Sequence, residues 1–279
     1  MAEIALRCPG SFSTLIERCG EDLPLELGAA YIAAEEQPGV DPFAILAEID
    51  ALGQRLRIPP GAGLVERVAR LNHLLYVELG FQGDVDNYDD PRNSLLDQVL
   101  ERRRGLPILL CVVAIAVGRR AGLTLDGIAF PSHFLVSPSD AVPRFYLDPF
   151  HGGDVLRDEH LERRLSAMFG GGPVGAERFA QHTRPVSPRQ VLVRLNNNLK
   201  GSYLRRTDLA GVLRCIDRML LLDPALLAER RDRGWVLARL DRVQEAIAEL
   251  ESYLVASPCA RDAQMVRDHL DELRTRMAG

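Results

Sequence analysis

Residues 104–122 read RGLPILLCVVAIAVGRRAG. Gly105 is followed by Pro107, and a proline at the first helical position sacrifices no intrahelical hydrogen bond. The residues that follow are apolar on nearly every side, the mark of a helix surrounded by protein rather than lying on a surface. Arginines flank the run at both ends, and it is far shorter than the ~20 apolar residues a bilayer span needs. The stretch therefore predicts a buried central helix from Pro107 to about Gly122. Cys111 lies one turn inside it, and the reading of function turns on that thiol.

On the N-terminal side the helical pattern continues. LPLELGAAYIAAEEQPG places Leu25, Ala29 and Ile32 on one face and stops at Pro38-Gly39. Asp41 is an expected N-cap with Pro42 at the next position, and Ile45, Leu46, Ile49, Leu52 and Leu56 form the stripe of that helix. Leu64, Val68, Leu71, Leu75 and Leu79 mark a further helix over 64–80. The polar loop QGDVDNYDDPRN follows, and Ser94 with Asp97 three residues on reads as a capping box. That helix is expected to end at Gly105, a suitable residue for a left-handed stop. The loop has the acidity of a calcium site but neither the residue order nor the distal glutamate of an EF-hand. It reads instead as a turn opened by Asp90-Pro91.

On the C-terminal side the period changes. DGIAFPSHFLVSP and RFYLDPF are rich in aromatic and β-branched residues and predict two antiparallel strands. His133 falls on the first and Asp148 near the end of the second. HGGDVL suggests a short further strand, and 158–169 return to helix. The Gly- and Pro-rich segment 173–188 is expected to be a linker. From residue 189 the chain is helical, and Pro224 and Pro258 stand about 34 residues apart, the period of a tetratricopeptide repeat. Gly234 and Ala246 fill the small positions of the second unit, with Leu237, Leu250 and Tyr253 between its helices. In the first unit Tyr203, Val212, Ile216 and Met219 fit, but Lys200 stands where a small residue is usual. Residues 261–276 would cap the array.

Composition narrows the function classes. The chain has 279 residues, 47% of them apolar, and a net charge of −5, which disfavours general nucleic-acid binding. The N-terminus has early acidic residues and no apolar core of a signal peptide. Cys8, Cys19, Cys111, Cys215 and Cys259 are scattered and odd in number, with no CxxC spacing, so neither a disulfide framework nor a zinc site is indicated. A reducing, cytoplasmic setting is expected. His151, His160 and His182 show no metal-ligand spacing with one another. No metal site and no cofactor is expected.

A helix carrying cysteine, then histidine, then aspartate on successive strands resembles the transglutaminase-like cysteine hydrolase superfamily. NYDDPRNSLLDQVLERRRGLPILL, GIAFPSHFLV, YLDPFHGG and NNNLKGSYLRRTDL together resemble the bacterial SirB-type family. The resemblance implies an α+β, mostly helical fold: a transglutaminase-like (papain-like) core with a small antiparallel sheet, followed by an α-helical tetratricopeptide region. The expected organisation is an N-terminal helical segment packing on the core (1–60), the core (61–172), a linker (173–188), and two repeats with a cap helix (189–279).

The resemblance also exposes a departure. In active members the nucleophilic cysteine stands two residues after a glycine such as Gly105, and that place is Pro107. Proline has neither a nucleophile nor an N–H. Cys111 is displaced by ~6 Å along the helix axis and sits among Leu109, Leu110, Val112 and Val113, where a cysteine is more often a small core residue than a nucleophile. The triad candidates are thus His133, Asp148 and Cys111, in vestigial form. Asn87, Tyr88, Arg92 and Asn93 are candidate ligand-binding residues lining the cleft.

Two functions remain open from sequence. The favoured one is a non-catalytic module that binds a protein or peptide, in a binding or regulatory role, through the old cleft and the repeats. The other is a cysteine hydrolase or acyl transferase using Cys111, His133 and Asp148, in which the histidine takes the thiol proton and the aspartate orients the imidazole. Neither involves nucleic acid or membrane, and the sequence leaves the oligomeric state open.

Overall fold

The computed structural model describes residues 10–278. Cys8 lies outside the described residues, as do residues 1–9 of the stretch on which the signal-peptide expectation rests. The chain divides into two compact units. Among the described residues, one contains 10–15 and 19–191, and the other contains Ile16–Arg18 and 192–278. No described helix is long and apolar enough to cross a membrane.

The first unit is built round the helix quoted above. It follows α1 (Phe12–Cys19), α2 (Leu25–Glu36), α3 (Pro42–Arg55), α4 (Leu64–Asn72), the two-residue strand β1 (Gln82–Gly83), α5 (Leu96–Arg102) and β2 (Arg104–Gly105). The central helix itself is α6 (Pro107–Arg120), and every residue from Pro107 to Ala114 is buried. Each large apolar side chain so buried is worth about 1.5–3 kcal/mol relative to exposure, which makes α6 the element on which the others condense. Gly53 of α3 faces the Arg120 side chain so closely that a Cβ there would come within 2.4 Å of it. The buried Glu26 of α2 accepts from both Arg119 and Arg120, while Arg120 also reaches Asp50 of α3 at 2.7 Å. α3 starts as its sequence predicts: the Asp41 carboxylate accepts from Phe43 N at 2.9 Å, with Pro42 in the first turn.

Two local expectations are corrected here. Ser94 does not cap a helix. It closes a 3-10 turn, Pro91–Ser94, that Asp90 caps, and its hydroxyl is buried without a hydrogen-bond partner. Asp97 instead accepts from Gln37, the residue that follows α2. α5 ends at Arg102, and the left-handed residue that stops it is Arg103 (φ 56°). Gly105 serves another purpose: β2 pairs in parallel with β1, Gly83 opposite Gly105, and a side chain at Gly105 would collide with Val99.

After α6 comes a four-stranded antiparallel meander, β3 (Leu125–Ile128), β4 (Leu135–Pro138), β5 (Tyr146–Asp148) and β6 (Asp154–Leu156), in that spatial order. The first of the two predicted strands is therefore two, β3 and β4, with Gly127 opposite Val136 and Ile128 opposite Leu135. A turn through Phe130–His133 separates them, closed by His133 N donating to Phe130 O at 3.0 Å. Pro131 cannot continue the ladder, and Ser132 adopts a left-handed conformation (φ 57°). α7 (Asp158–Met168) and α8 (Ala176–Thr183) follow. The segment expected to be a linker thus carries a helix, and its Val174 and Phe179 pack on a core of Ile128, Phe130, Leu135, Tyr146, Leu156, Leu161 and Leu165.

The second unit takes the chain from α9 (Pro188–Arg205), which starts in the first, through α10 (Leu209–Leu222), α11 (Leu227–Arg239) and α12 (Val243–Ala256) to α13 (Ala263–Ala278). Gly234 lets α11 lie against Leu250 and the Ala246 carbonyl of α12, and a Cβ there would sit 2.6 Å from the leucine. Lys200, the unexpected residue of the first repeat, is buried but ion-paired with Glu229 at 2.7 Å. Arg218 donates to the buried Asn196 at 2.8 Å. Arg233 ties Asp217 to Glu249, and Tyr253 donates to Asp262, which also receives Arg231.

Candidate functional site

The site lies where the start of α6, the turn before β4 and the end of β5 meet. Pro107 occupies the first turn of α6, buried, behind the extended residue Leu106. Leu106 N donates to Asn93 O at 3.1 Å, which fastens the helix start to the preceding polar loop. Cys111 is 0% exposed, and its Sγ donates to Phe134 O at 3.4 Å. The thiol is thus bound to backbone one residue beyond His133 and screened from solvent, as the apolar neighbours of α6 predict.

His133 sits in the β3–β4 turn, not on the strand where its sequence context placed it. The left-handed Ser132 aims its ring at the end of β5. There Nε2 lies 2.7 Å from Asp148 Oδ1. Asp148 is buried, and its second oxygen lies 2.9 Å from His151 Nδ1 and 3.7 Å from Arg164 Nη1. Burial alone would raise the Asp148 carboxyl. Hydrogen bonds and charge from His133 and His151 outweigh it and hold the group below the usual carboxylate range. The histidine and aspartate expected from the triad order do meet, and a second imidazole joins them.

His151 has no metal-ligand spacing with the other histidines in sequence. A signal was present nonetheless. Asp148-Pro149 opens a single 3-10 turn, Pro149–His151, and in such a turn residues i and i+3 eclipse. Phe150, in the same turn, lies edge-on to His133 (ring centroids 6.0 Å apart), to Tyr88 (6.1 Å) and to His151 (5.3 Å). Gly83 makes room for it, since a Cβ there would stand 2.4 Å from the ring. Tyr76 completes the surroundings from a π-helical turn, His73–Glu78, that continues α4. Burial drives the Tyr76 phenol well above its ordinary range, with further contributions from Cys111 and Asp148 beside it. Its ring packs on Gly153, whose carbonyl accepts from Asn72 Nδ2 at 2.8 Å. Nothing in the local sequence marks a π-turn, so Tyr76 was not identifiable in advance.

The four loop residues proposed to line the cleft divide. Tyr88 is exposed and reaches the site through Phe150. Asn93 is wholly buried: Nδ2 donates to Asn87 O at 2.7 Å, and Oδ1 accepts from Arg102 at 3.1 Å. Arg102 also pairs with the buried Asp84 at 2.9 Å, whose other oxygen accepts from Asn87 N. Arg92 folds back on Asp90 at 2.7 Å. Asn87, Arg92 and Asn93 therefore act in the loop's own architecture, and Tyr88 alone is shown in contact with the site's rings.

Chemically, the site holds two imidazoles and a carboxylate open to solvent on the His151 side, an aromatic wall, and a thiol buried beneath. One nitrogen or oxygen from each of His133, Asp148 and His151 lies within 4.8 Å of the others, a grouping that could hold a metal ion.

Comparison with known proteins bears on the family. A transglutaminase-like superfamily model matches residues 43–197, and a tetratricopeptide-repeat model matches 199–271. A UPF0162 protein of Xylella fastidiosa is 37% identical over 91% of this chain and 91% of its own length. A UPF0162 protein of Vibrio cholerae is 34% identical over 72% of this chain and 73% of its own. Protein SirB1 of Salmonella typhimurium is 27% identical over 75% of this chain and 76% of its own. No solved structure matches.

Proposed function

We propose, from the premise that the chain belongs to the transglutaminase-like superfamily and to the group of bacterial proteins that includes UPF0162 and SirB1, that it is a protein- or peptide-binding module without covalent catalysis. The observation that carries this reading is the start of α6. Nucleophilic catalysis needs a thiolate that substrate can reach, favoured by free N–H groups at a helix N-terminus. Here the first turn carries Pro107, and the thiol is a turn deeper, 0% exposed, with its proton directed at the Phe134 carbonyl. An imidazole held by a carboxylate then remains as a polar floor that accepts and donates hydrogen bonds to a bound chain. Phe150 and Tyr88 beside it offer aromatic faces of the kind that dominate recognition sites. The tetratricopeptide region adds a second surface of a type built for peptides.

The test has two arms. Purified full-length protein is incubated with a panel of amide and acyl-donor substrates, with and without a primary amine acceptor. The expected result is no turnover, and turnover abolished by Cys111→Ala would overturn the reading. In parallel, the same protein is screened against a random peptide display library. Selected peptides are expected to lose affinity on Tyr88→Ala or Phe150→Ala, or on substitutions in α10–α12. Selection of no peptide sequence above background would count against it.

A further inference from the structure

We propose that His133, Asp148 and His151 form a binding site for one zinc-class divalent cation. This goes beyond the peptide-binding reading and does not depend on it. The three residues come from a turn, a strand end and a 3-10 turn, so the fold, not a local motif, assembles them. Their donor set, two imidazole nitrogens and one carboxylate oxygen, matches the three-ligand sets of zinc sites that keep the fourth position for water or a ligand. Ligands about 2.0–2.2 Å from a tetrahedral zinc stand about 3.3 Å apart. His133 Nε2 and His151 Nδ1 lie 2.7 and 2.9 Å from different oxygens of Asp148, and one donor atom from each of the three residues lies within 4.8 Å of the others, so adjustment of the side chains can gather them round one ion. The N–H protons now directed at Asp148 would pass through solvent to the opposite ring nitrogens, leaving two neutral imidazoles with lone pairs toward the ion.

The surroundings suit such an ion. Asp148 is buried and His151 has a side chain 54% exposed, so the ion would be anchored on the protein side and reachable from solvent. Phe150 packs edge-on against both rings and limits their rotation. Among the described residues Arg164 is the arginine ion-paired with the carboxylate, 3.7 Å away, and with a side chain 42% exposed it is able to swing into water.

The experiment uses full-length protein stripped with chelator and titrated with cobalt(II), whose visible spectrum reports coordination number and ligand type. The expected result is one equivalent bound, with bands of a four-coordinate nitrogen–oxygen site, no thiolate charge-transfer absorption, and displacement by zinc. His151→Ala, at an exposed position, is expected to weaken binding at least tenfold, while the metal-free protein stays folded with only a small loss of stability from the missing bond to Asp148. His133→Gln should weaken binding similarly, and His182→Ala and Cys259→Ser should leave it intact. The proposal is overturned if cobalt does not saturate, if both site variants bind like wild type, or if the bands carry thiolate character and vanish with Cys259→Ser. Should His151→Ala fail to fold, His151→Gln replaces it with the same expected loss.

Discussion

Replacing Cys111 with alanine separates a core thiol from a nucleophile by magnitude. The structure assigns the side chain two contributions. Sγ donates to the Phe134 carbonyl at 3.4 Å, and losing a neutral hydrogen bond of this kind costs about 0.5–1.5 kcal/mol, toward the low end for a weak thiol donor. Sγ is also a fully buried heavy atom at the centre of α6, and deleting an atom of that size costs about 1 kcal/mol in transfer and cavity terms. The sum is about 1.5–2 kcal/mol, to be read from urea unfolding of wild type and variant at constant slope. Serine should recover part of the hydrogen bond but not the apolar burial, and should fall at or below alanine. The companion assay is native-state alkylation followed by peptide mapping. Cys259 is exposed and should react at once, whereas Cys111 should react only through opening of the core, slower by a factor of about a thousand or more. Alkylation of Cys111 at a rate near that of Cys259, or a Cys111→Ala variant as stable as wild type, would refute the reasoning.

Three further outcomes are expected. Asp148→Asn should cost about 2 kcal/mol at pH 7 in chelator-treated protein, because charge-assisted hydrogen bonds from two imidazoles are lost. The folded carboxyl is held below its unfolded value of about 3.9. Its contribution is therefore complete above that pH and drains away as pH falls through the folded value, so the gap between wild type and variant should narrow in acid. Denaturant midpoints from pH 7 down to 3 check the sign, and a gap that widens in acid would contradict it. Ser132→Val should lose about 1–2 kcal/mol, since a β-branched residue is strained at φ 57°. Ser132→Gly should be neutral or slightly stabilising, and thermal unfolding of the pair measures the difference. Gly153→Ala combines a φ of 79° with a Cβ that would stand 2.6 Å from the Tyr76 ring. It should cost about 2–4 kcal/mol and change the tyrosine near-ultraviolet circular dichroism.

Much of this molecule was readable without coordinates because the determining patterns are local. Pro107 and the apolar run behind it define α6, Asp41-Pro42 starts α3, and the proline spacing with Gly234 and Ala246 marks the repeats. Each rests on backbone chemistry or on a single helical or strand period. The encounter of His133 with Asp148 was legible too, from the order of elements. Where sequence failed, the reason was a long-range contact or an unusual backbone. Ser94 gave up its capping role because Asp90 caps the turn before it. Gly105 is glycine to clear Val99, not to stop α5. Asn93 is consumed by the buried Asp84–Arg102 network. His151, Tyr76 and Phe150 reach the site through a 3-10 turn, a π-turn and the gap left by Gly83.

What the amino-acid sequence determined by itself was the inventory: a buried helix with proline at its first turn, a histidine and an aspartate on neighbouring elements, and a helical repeat behind them. What only the tertiary structure decided was how those groups face one another. A side chain's direction over several ångströms depends on packing between elements distant in the chain, and no local period encodes it. That packing turned Cys111 toward a carbonyl in the core and brought His151 onto the free oxygen of Asp148.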